Sequence, residues 1–173
     1  MPEPATTIGD AVRAARDYLR THPDEARYTD SAATARLEAG LLVRVEGPGD
    51  AVVISDMPAS VGGRGEAPSP AWFMRAGHAA CVATLIGMRA AEEGVVLSQL
   101  EVVVDSQSDD RGILGAAHDI AAGPLSTSVR ITLAAEGVPV ERVREIADWG
   151  VAHCPVDDAI RRAVPVKLEV NAQ

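Results

Sequence analysis

Aromatic and basic side chains are scarce in this sequence. Phe, Trp and Tyr together make up 3% of its 173 residues, which leaves few rings on which nucleic-acid bases could stack. The 16 Lys and Arg residues are outnumbered by 25 Asp and Glu residues, giving a net charge of −9. Because phosphate binding depends on clustered cations, neither a nucleic acid nor an anionic membrane surface is expected as a partner.

Long apolar segments and cysteines are also few. No apolar run reaches the roughly 20 residues of a membrane helix, and the opening Met-Pro-Glu-Pro lacks the basic and apolar regions of a signal peptide. We therefore expect a cytoplasmic chain, in which the two cysteines are normally reduced and a disulfide between them is catalytic or transient. The length and the 47% hydrophobic content predict a single domain over residues 1–173 with a real core.

The most apolar segment, residues 69–88, is predicted to be a helix with Cys81 near its middle. Ser69 can cap its start, Pro70 suits the first helical position, and Gly94 can cap its end. Residues at three- and four-residue steps share the predicted core face: Phe73, Gly77, Ala80, Cys81, Thr84 and Met88. A helix this apolar is expected to be buried.

A second predicted helix, from Pro139 to Cys154, carries the other cysteine. Pro155 disfavours helical geometry at the residue before it, so this helix is expected to end or kink at Cys154. Both cysteines then lie on the core faces of apolar helices, which makes a paired thiol site possible. Cysteine is also among the most often buried residue types, so two small core residues are the simpler interpretation.

Five other segments are predicted strands, most of them by polar–apolar alternation: residues 34–45, 51–55, 97–105, 129–135 and 165–170. An amphipathic helix over residues 8–20 precedes them, and a short helical segment over residues 157–163 follows Cys154. The strands come in pairs rather than singly between helices, which predicts an α+β fold with antiparallel pairing.

No cofactor or metal site is predicted. The loop Gly62-Gly-Arg-Gly65 precedes the Cys81 helix, but it lacks the Gly-Lys-Ser/Thr ending of a phosphate-binding loop and is interpreted as a flexible connection. Two histidines near the cysteines, His78 and His153, are of a type that zinc accepts, yet the spacing matches no usual zinc site. His78 lies three residues before Cys81 on the same helix face, where it either contacts the thiol or serves as a core group.

Several short motifs stand out for their order along the chain: Asp56-Met-Pro58, Gly62-Gly63, Ser69-Pro70, Ala76-Gly-His-Ala-Ala-Cys81, Asp110-Arg-Gly112 and His153-Cys-Pro-Val156. One cysteine lies on a central apolar helix and the other in a terminal Cys-Pro. In this combination the chain resembles the OsmC/Ohr family of osmotically induced and organic hydroperoxide resistance proteins. The resemblance covers residues 34–170 as an OsmC-like core and leaves residues 1–33 as an N-terminal helical extension.

The resemblance implies a homodimer of intertwined subunits, in which antiparallel sheets wrap two central helices. Active members of the family are thiol peroxidases that reduce organic hydroperoxides. By this resemblance Cys81 is the peroxidatic thiol and Cys154 the resolving thiol, which closes a disulfide with it. A dithiol reductant, either a small thiol or a lipoyl- or thioredoxin-type protein, must then restore the pair.

The chain departs from the family pattern just after Pro70. Active members have a glutamate there that orients an arginine toward the reactive sulfur, whereas this chain has Ala71. Arg64 and Glu66, in the loop that leads into the helix, are the first candidates to replace that pair. Other candidates for the arginine are Arg36, Arg44 and Arg75.

The leading hypothesis is therefore a thiol-dependent peroxidase for organic hydroperoxides, with Arg64 activating Cys81. Because the glutamate is missing, the alternative hypothesis is a catalytically weakened relative that binds an apolar small molecule or a partner at the dimer interface. A thiol redox sensor is a third hypothesis.

Overall fold

The computed structural model of the protein describes residues 7–172. Within this range the chain forms five α-helices and five β-strands with antiparallel pairing, which confirms the predicted α+β class. None of these helices combines the length and apolar character needed to cross a membrane. The residues cluster into two compact units, one made of residues 7–9, 78–104 and 128–172 and the other of residues 10–77 and 105–127.

The second unit is built on a three-stranded antiparallel sheet with the strand order β1 (Thr34–Ala39), β2 (Leu42–Glu46) and β3 (Val52–Ser55). The prediction of a single strand over residues 34–45 is wrong. Gly40 has a φ of +60°, the chain reverses there, and Ala39 pairs with Leu42. The alternation continues through the reversal because both strands of the hairpin alternate, so periodicity alone does not reveal the turn.

Helix α1 (Ile8–Thr21) confirms the helix predicted near the start of the chain. Its apolar residues stay accessible, since Ile8 is 63% and Leu19 is 42% exposed. An apolar stripe on a helix normally faces a core, so this one is uncovered in the single chain.

The first unit contains most of the long helix, together with two strands and two further helices: α2 (Pro70–Glu92), β4 (Gln99–Gln107), β5 (Ser126–Ala134), α4 (Val140–Ala152) and α5 (Pro155–Arg161). The strands β4 and β5 form a two-stranded sheet. The Ser98 N–H donates to the Ala134 carbonyl at 2.8 Å, so the start of β4 meets the end of β5 and the pair is antiparallel. A short helix, α3 (Asp110–Ile113), lies between these strands in the chain.

Both predicted caps of α2 are confirmed. The Trp72 N–H donates to the Ser69 side-chain oxygen at 3.3 Å, which satisfies one of the free donors at the helix start. At the other end Gly94 has a φ of +69°, and the Val95 N–H reaches back to the Ala90 carbonyl at 2.8 Å.

The buried face of α2 differs from the predicted one. His78, Val82, Ile86 and Ala90 are buried at four-residue steps, whereas the predicted face included exposed Gly77, Ala80 and Thr84. The helix is apolar on most sides, so periodicity could not select a face, and contact with α4 selects it instead. The resulting core consists of Val82, Ile86, Ala90, Ile146 and Cys154.

Gly150 allows α4 to approach α2 closely. A Cβ atom at this position would lie 2.5 Å from Cγ1 of Ile86 and 2.9 Å from its backbone nitrogen. Any larger residue would therefore push the two helices apart.

Near the C-terminus one prediction is confirmed and two expectations change. The backbone is extended at Cys154, as predicted from Pro155. Helix α4 ends at Ala152, so Cys154 lies not on a helix face but at the cap position that starts α5. The strand predicted over residues 165–170 is absent from the described part of the chain. Its apolar side chains, Val166, Leu168 and Val170, are 89%, 82% and 76% exposed. A strand needs a neighbouring edge, and none is paired with this segment.

Candidate active site

The two cysteines lie together in the first unit. Cys81, on α2, is partly exposed, while Cys154 is 1% exposed and belongs to the apolar core against which Cys81 packs. Both are free thiols, and Cys81 packs against the core cluster that contains Cys154. Two neighbouring thiols, one accessible and one enclosed, can exchange between a dithiol and a disulfide.

Local backbone geometry sets the position of Cys154. Pro155 occupies the first position of α5, where its missing N–H costs nothing, and Cys154 becomes the cap residue. The Asp157 N–H donates to the Cys154 sulfur at 3.4 Å. The sulfur therefore takes the place that a serine or aspartate oxygen commonly fills at a helix start.

Burial is the largest influence on the Cys154 thiol, and it raises the pKa above the usual value of 9.0. The N–H groups of Asp157 and Val156 act in the opposite direction and lower the pKa, while the hydrogen bond and charge interaction with Cys81 raise it. The net direction is upward, so Cys154 keeps its proton at neutral pH.

A buried polar pair lies beside this dithiol. Nε2 of His78 and Oδ1 of Asp157 are 3.1 Å apart, and the two residues are 1% and 6% exposed. The other carboxylate oxygen of Asp157 accepts from Nε of Arg161, one turn later in α5. His78 thus contacts Asp157 rather than forming a hydrogen bond with a thiol.

The roles of Asp157 and Arg161 were not predicted from the sequence. The available signal was the Asp-to-Arg spacing of four residues, which places both side chains on one helix face. The same spacing recurs at Asp158 and Arg162, so it did not single out the buried pair.

Arg64 belongs to the second unit. Its guanidinium is 3.6 Å from the Glu66 carboxylate, and both side chains are more than half exposed. The pair expected from the sequence is therefore formed within the loop itself.

The loop that carries Arg64 is organised around Asp56, which is 2% exposed. Its carboxylate accepts from the N–H groups of Met57, Arg64 and Glu66 at 2.7, 3.0 and 3.2 Å. Burial on its own would raise the pKa of Asp56, but these donors, led by Glu66, outweigh it and lower the pKa. The interpretation of this stretch as a merely flexible connection is wrong, because the carboxylate ties both ends of the loop together.

Gly63 completes this loop. A Cβ there would lie 1.8 Å from the Met57 carbonyl oxygen, so only glycine allows the backbone to pass. Asp56 and Gly63 belong to the sequence motifs that carry the family resemblance, but their role in the loop was not predicted.

The other candidate arginines also have partners within the second unit. Arg36 and Arg44 lie directly opposite each other on β1 and β2, and both bind Glu46, at 2.5 and 3.0 Å. Arg75 donates to the Ser106 hydroxyl at 3.2 Å.

Ala71 lines an open cleft of about 280 Å³ in the second unit. Its walls are largely apolar and come from the Asp56 loop, the start of α2 and α3: Met57, Pro58, Ser60, Val61, Ser69, Pro70, Ala71, Asp110, Ile113 and Leu114. A cleft of this size and polarity suits a small apolar group.

His153 does not join the dithiol. It stacks on Trp149 with ring centroids 4.0 Å apart, and its Nδ1 lies 2.8 Å from the Trp149 carbonyl oxygen. Among residues 7–172 no group of three or more His, Cys, Asp and Glu side chains is arranged to hold a metal ion.

Comparisons with known proteins agree with this architecture. The sequence profile of the OsmC-like protein family matches residues 63–169, more than half of the chain. A comparison of the chain with curated protein sequences found no match. The similar solved structures include the organic hydroperoxide resistance protein OsmC from Legionella pneumophila, which is 23% identical with a TM-score of 0.56. That alignment covers 78% of this chain and 90% of the Legionella protein.

Two further structures extend the comparison. An OsmC-like protein from Mycoplasma pneumoniae is 14% identical with a TM-score of 0.66, over 79% of this chain and 91% of that protein. The organic hydroperoxide resistance protein of Bacillus subtilis is 21% identical with a TM-score of 0.51, over 83% and 98%. Identities this low establish the shared fold, and the profile match adds the family. The chain belongs to the OsmC-like protein family.

Proposed function

We propose that this protein is a cytoplasmic thiol-dependent peroxidase that reduces organic hydroperoxides, with Cys81 as the peroxidatic residue and Cys154 as the resolving residue. The observation that carries the proposal is that the two cysteines of the chain pack into one apolar core in the first unit. The names of several relatives refer to organic hydroperoxide resistance, which is consistent with it.

The different exposure of the two thiols supports their assignment. A peroxidatic sulfur must meet the substrate, and Cys81 is the partly exposed one. Its thiolate attacks the terminal oxygen of the hydroperoxide, the O–O bond breaks, and the alkoxide leaves and takes up a proton as an alcohol. Cys81 is oxidised to a sulfenic acid. The retained proton of Cys154 can be donated toward the Cys81 sulfur while that sulfur carries negative charge.

Resolution requires only that Cys154 reach Cys81. The Cys154 thiol loses its proton, its sulfur attacks the sulfenic sulfur, and hydroxide leaves as water. A dithiol reductant, small or protein-borne, then reduces the disulfide by exchange.

Arg64 is proposed as the cation that favours the Cys81 thiolate, with Glu66 orienting its guanidinium. Its ion pair with Glu66 and the anchoring of its backbone N–H by Asp56 support this assignment. A thiolate in apolar surroundings needs such a cation nearby.

The chain is also proposed to act as a homodimer. Neither nucleic acids nor membranes are proposed as partners. Among residues 7–172 only six apolar side chains are buried, a small core for a chain of this length. The exposed apolar residues of the C-terminal segment alternate as in a strand that pairs with a second chain.

Cysteine substitutions test the peroxidase. Turnover of cumene hydroperoxide with dithiothreitol should fall to the uncatalysed rate in Cys81→Ser, because no nucleophile remains. Cys154→Ser should react once and stall as a sulfenic acid that a dimedone probe labels. A wild-type rate no faster than that of Cys81→Ser would refute hydroperoxide reduction.

The raised pKa of Cys154 predicts a pH dependence for disulfide closure. Closure needs the Cys154 thiolate, whose fraction increases about tenfold per pH unit below its pKa, so closure should accelerate steadily from about pH 6 to pH 8. Trp149 stacks on His153, the residue before Cys154, and so can report closure by stopped-flow fluorescence after one equivalent of hydroperoxide. Cys154→Ser should show no such phase, and a rate independent of pH would contradict the prediction.

The apolar cleft beside Ala71 favours one second candidate function, the binding of an apolar small molecule by a catalytically weakened protein. Ala71→Glu separates the two. This substitution restores the carboxylate that active members of the family have directly after Pro70. If the site is otherwise intact, kcat/KM for cumene hydroperoxide should increase about tenfold, as for one added charged interaction. Ala71→Gln is the uncharged control, and equal rates in all three proteins would favour binding.

Self-association can be tested through the C-terminal segment. Leu168→Gln removes an apolar side chain of the size that contributes about 1.5–3 kcal/mol when buried, so dimerisation should weaken at least about tenfold by sedimentation equilibrium. Lys167→Gln is the control. The side chain of Lys167 points to the opposite side of an extended segment from that of Leu168, so this substitution should have little effect on dimerisation. A monomeric wild-type chain would refute the dimer.

A further inference from the structure

One buried hydrogen bond connects the two helices that carry the cysteines. His78 lies three residues before Cys81 in α2, and Asp157 lies three residues after Cys154 in α5. Nε2 of His78 and Oδ1 of Asp157 are 3.1 Å apart, so each partner of this contact lies about one helical turn from one of the cysteines. The backbone N–H of Asp157 also donates to the Cys154 sulfur.

The contact has no substitute in this part of the molecule. His78 is 1% exposed and its other ring nitrogen, Nδ1, has no hydrogen-bond partner, so Asp157 supplies the only hydrogen bond of the buried imidazole. Each oxygen of the Asp157 carboxylate has a hydrogen-bond partner, since the second oxygen accepts from Arg161. Releasing either side chain would leave a buried polar group unsatisfied.

We propose that Asp157 and His78 are positioning residues that hold Cys154 against Cys81 for disulfide closure. The inference rests on the proposed dithiol chemistry of these two cysteines and assigns a task within it. Arg161 supports the pair by holding the second oxygen of the carboxylate.

The geometric demand of the closing step explains why such a contact is needed. The Cys154 sulfur forms an S–S bond to the Cys81 sulfur, the S–O bond of the sulfenic acid breaks, and the oxygen leaves as water after taking the thiol proton. The two Cα atoms must then lie within about 7 Å and the sulfurs about 2 Å apart. Cys154 is held to α4 by its own N–H, which donates to the Val151 carbonyl at 3.2 Å. The contact between His78 and Asp157 adds a direct tie from α5 to α2, the helix that carries the other cysteine.

The chain contains a matched control for this pair. Asp158 follows Asp157 in the same helix and binds Arg162 with the same four-residue spacing, but both of these side chains are more than half exposed. Asp157 and Asp158 therefore share helix, charge and arginine partner type, and differ in burial and in the contact with His78.

The test is the reduction potential of the Cys81–Cys154 couple, measured in the full-length protein by equilibration with glutathione or dithiothreitol redox buffers. Asp157→Ala should make closure about tenfold less favourable, as for loss of a hydrogen bond to a charged group, which raises the potential by about 30 mV. Asp158→Ala should leave it unchanged. Asp157→Asn keeps an acceptor for His78 and should recover most of the wild-type value.

Arg161→Ala provides a second variant that should fold, because Arg161 is 70% exposed. In Arg161→Ala the equilibrium constant for disulfide closure should fall about threefold, so the potential rises as in Asp157→Ala but by less. Arg162→Ala is the control for this variant. Thermal unfolding of the reduced proteins is measured in parallel, because a purely structural role would lower the midpoint without moving the potential. An unchanged potential in Asp157→Ala would overturn the proposal, and an unchanged potential in Arg161→Ala alone would remove only the supporting role of Arg161.

Failure of the underlying chemistry has a different signature. If the wild-type protein forms no intramolecular disulfide in any of these buffers, the dithiol mechanism and the positioning role both fall. If the wild type closes and Asp157→Ala closes at the same potential, the positioning role alone is refuted and the peroxidase proposal is untouched.

Discussion

The packing of α2 against α4 at Ile86 and Gly150 is the contact on which the geometry of the first unit depends. Ile86 and Ile146 are fully enclosed, and the absence of a side chain at Gly150 lets the two helix backbones come this close. Cys154 follows α4 by two residues, so the position of α4 largely decides where its sulfur lies. A displacement of α4 would move this sulfur relative to Cys81, and disulfide geometry tolerates little displacement.

Burying a thiol in that packed region has opposite consequences for the two steps of the proposed reaction. Burial raises the pKa of Cys154, which keeps it a thiol and a donor toward Cys81 while Cys81 attacks. The same raised pKa slows the later attack by Cys154, since only the thiolate is a good nucleophile. The N–H groups of Asp157 and Val156 partly offset the burial. Placing the resolving cysteine at a helix cap is thus a compromise between protonation during the first step and reactivity during the second.

Sequence patterns predicted the elements of this protein better than their contacts. Ser69 and Gly94 have chemical reasons to cap a helix that do not depend on the rest of the fold, and both predictions are confirmed. The buried face of α2 could not be predicted, because an apolar helix offers several faces and the fit with Gly150 chooses among them. The roles of Asp56 and Asp157 were missed for a related reason. A carboxylate becomes structural only when burial and donors from distant residues converge on it, and a linear sequence does not display that convergence.

The loss of the glutamate after Pro70 does not by itself remove an activating arginine, but it changes which arginine can serve. Arg36 and Arg44 share Glu46 within the sheet, so recruiting either would break a shared arrangement of three charges. Arg75 is held by the Ser106 hydroxyl. The ion pair of Arg64 with Glu66 is longer, at 3.6 Å, and exposed ion pairs contribute little to stability. Its backbone, in contrast, is held by the Asp56 carboxylate, so a change of partner at the guanidinium would leave the loop in place. For this reason Arg64 is the arginine that we propose, ahead of the other three, as the cation for the Cys81 thiolate.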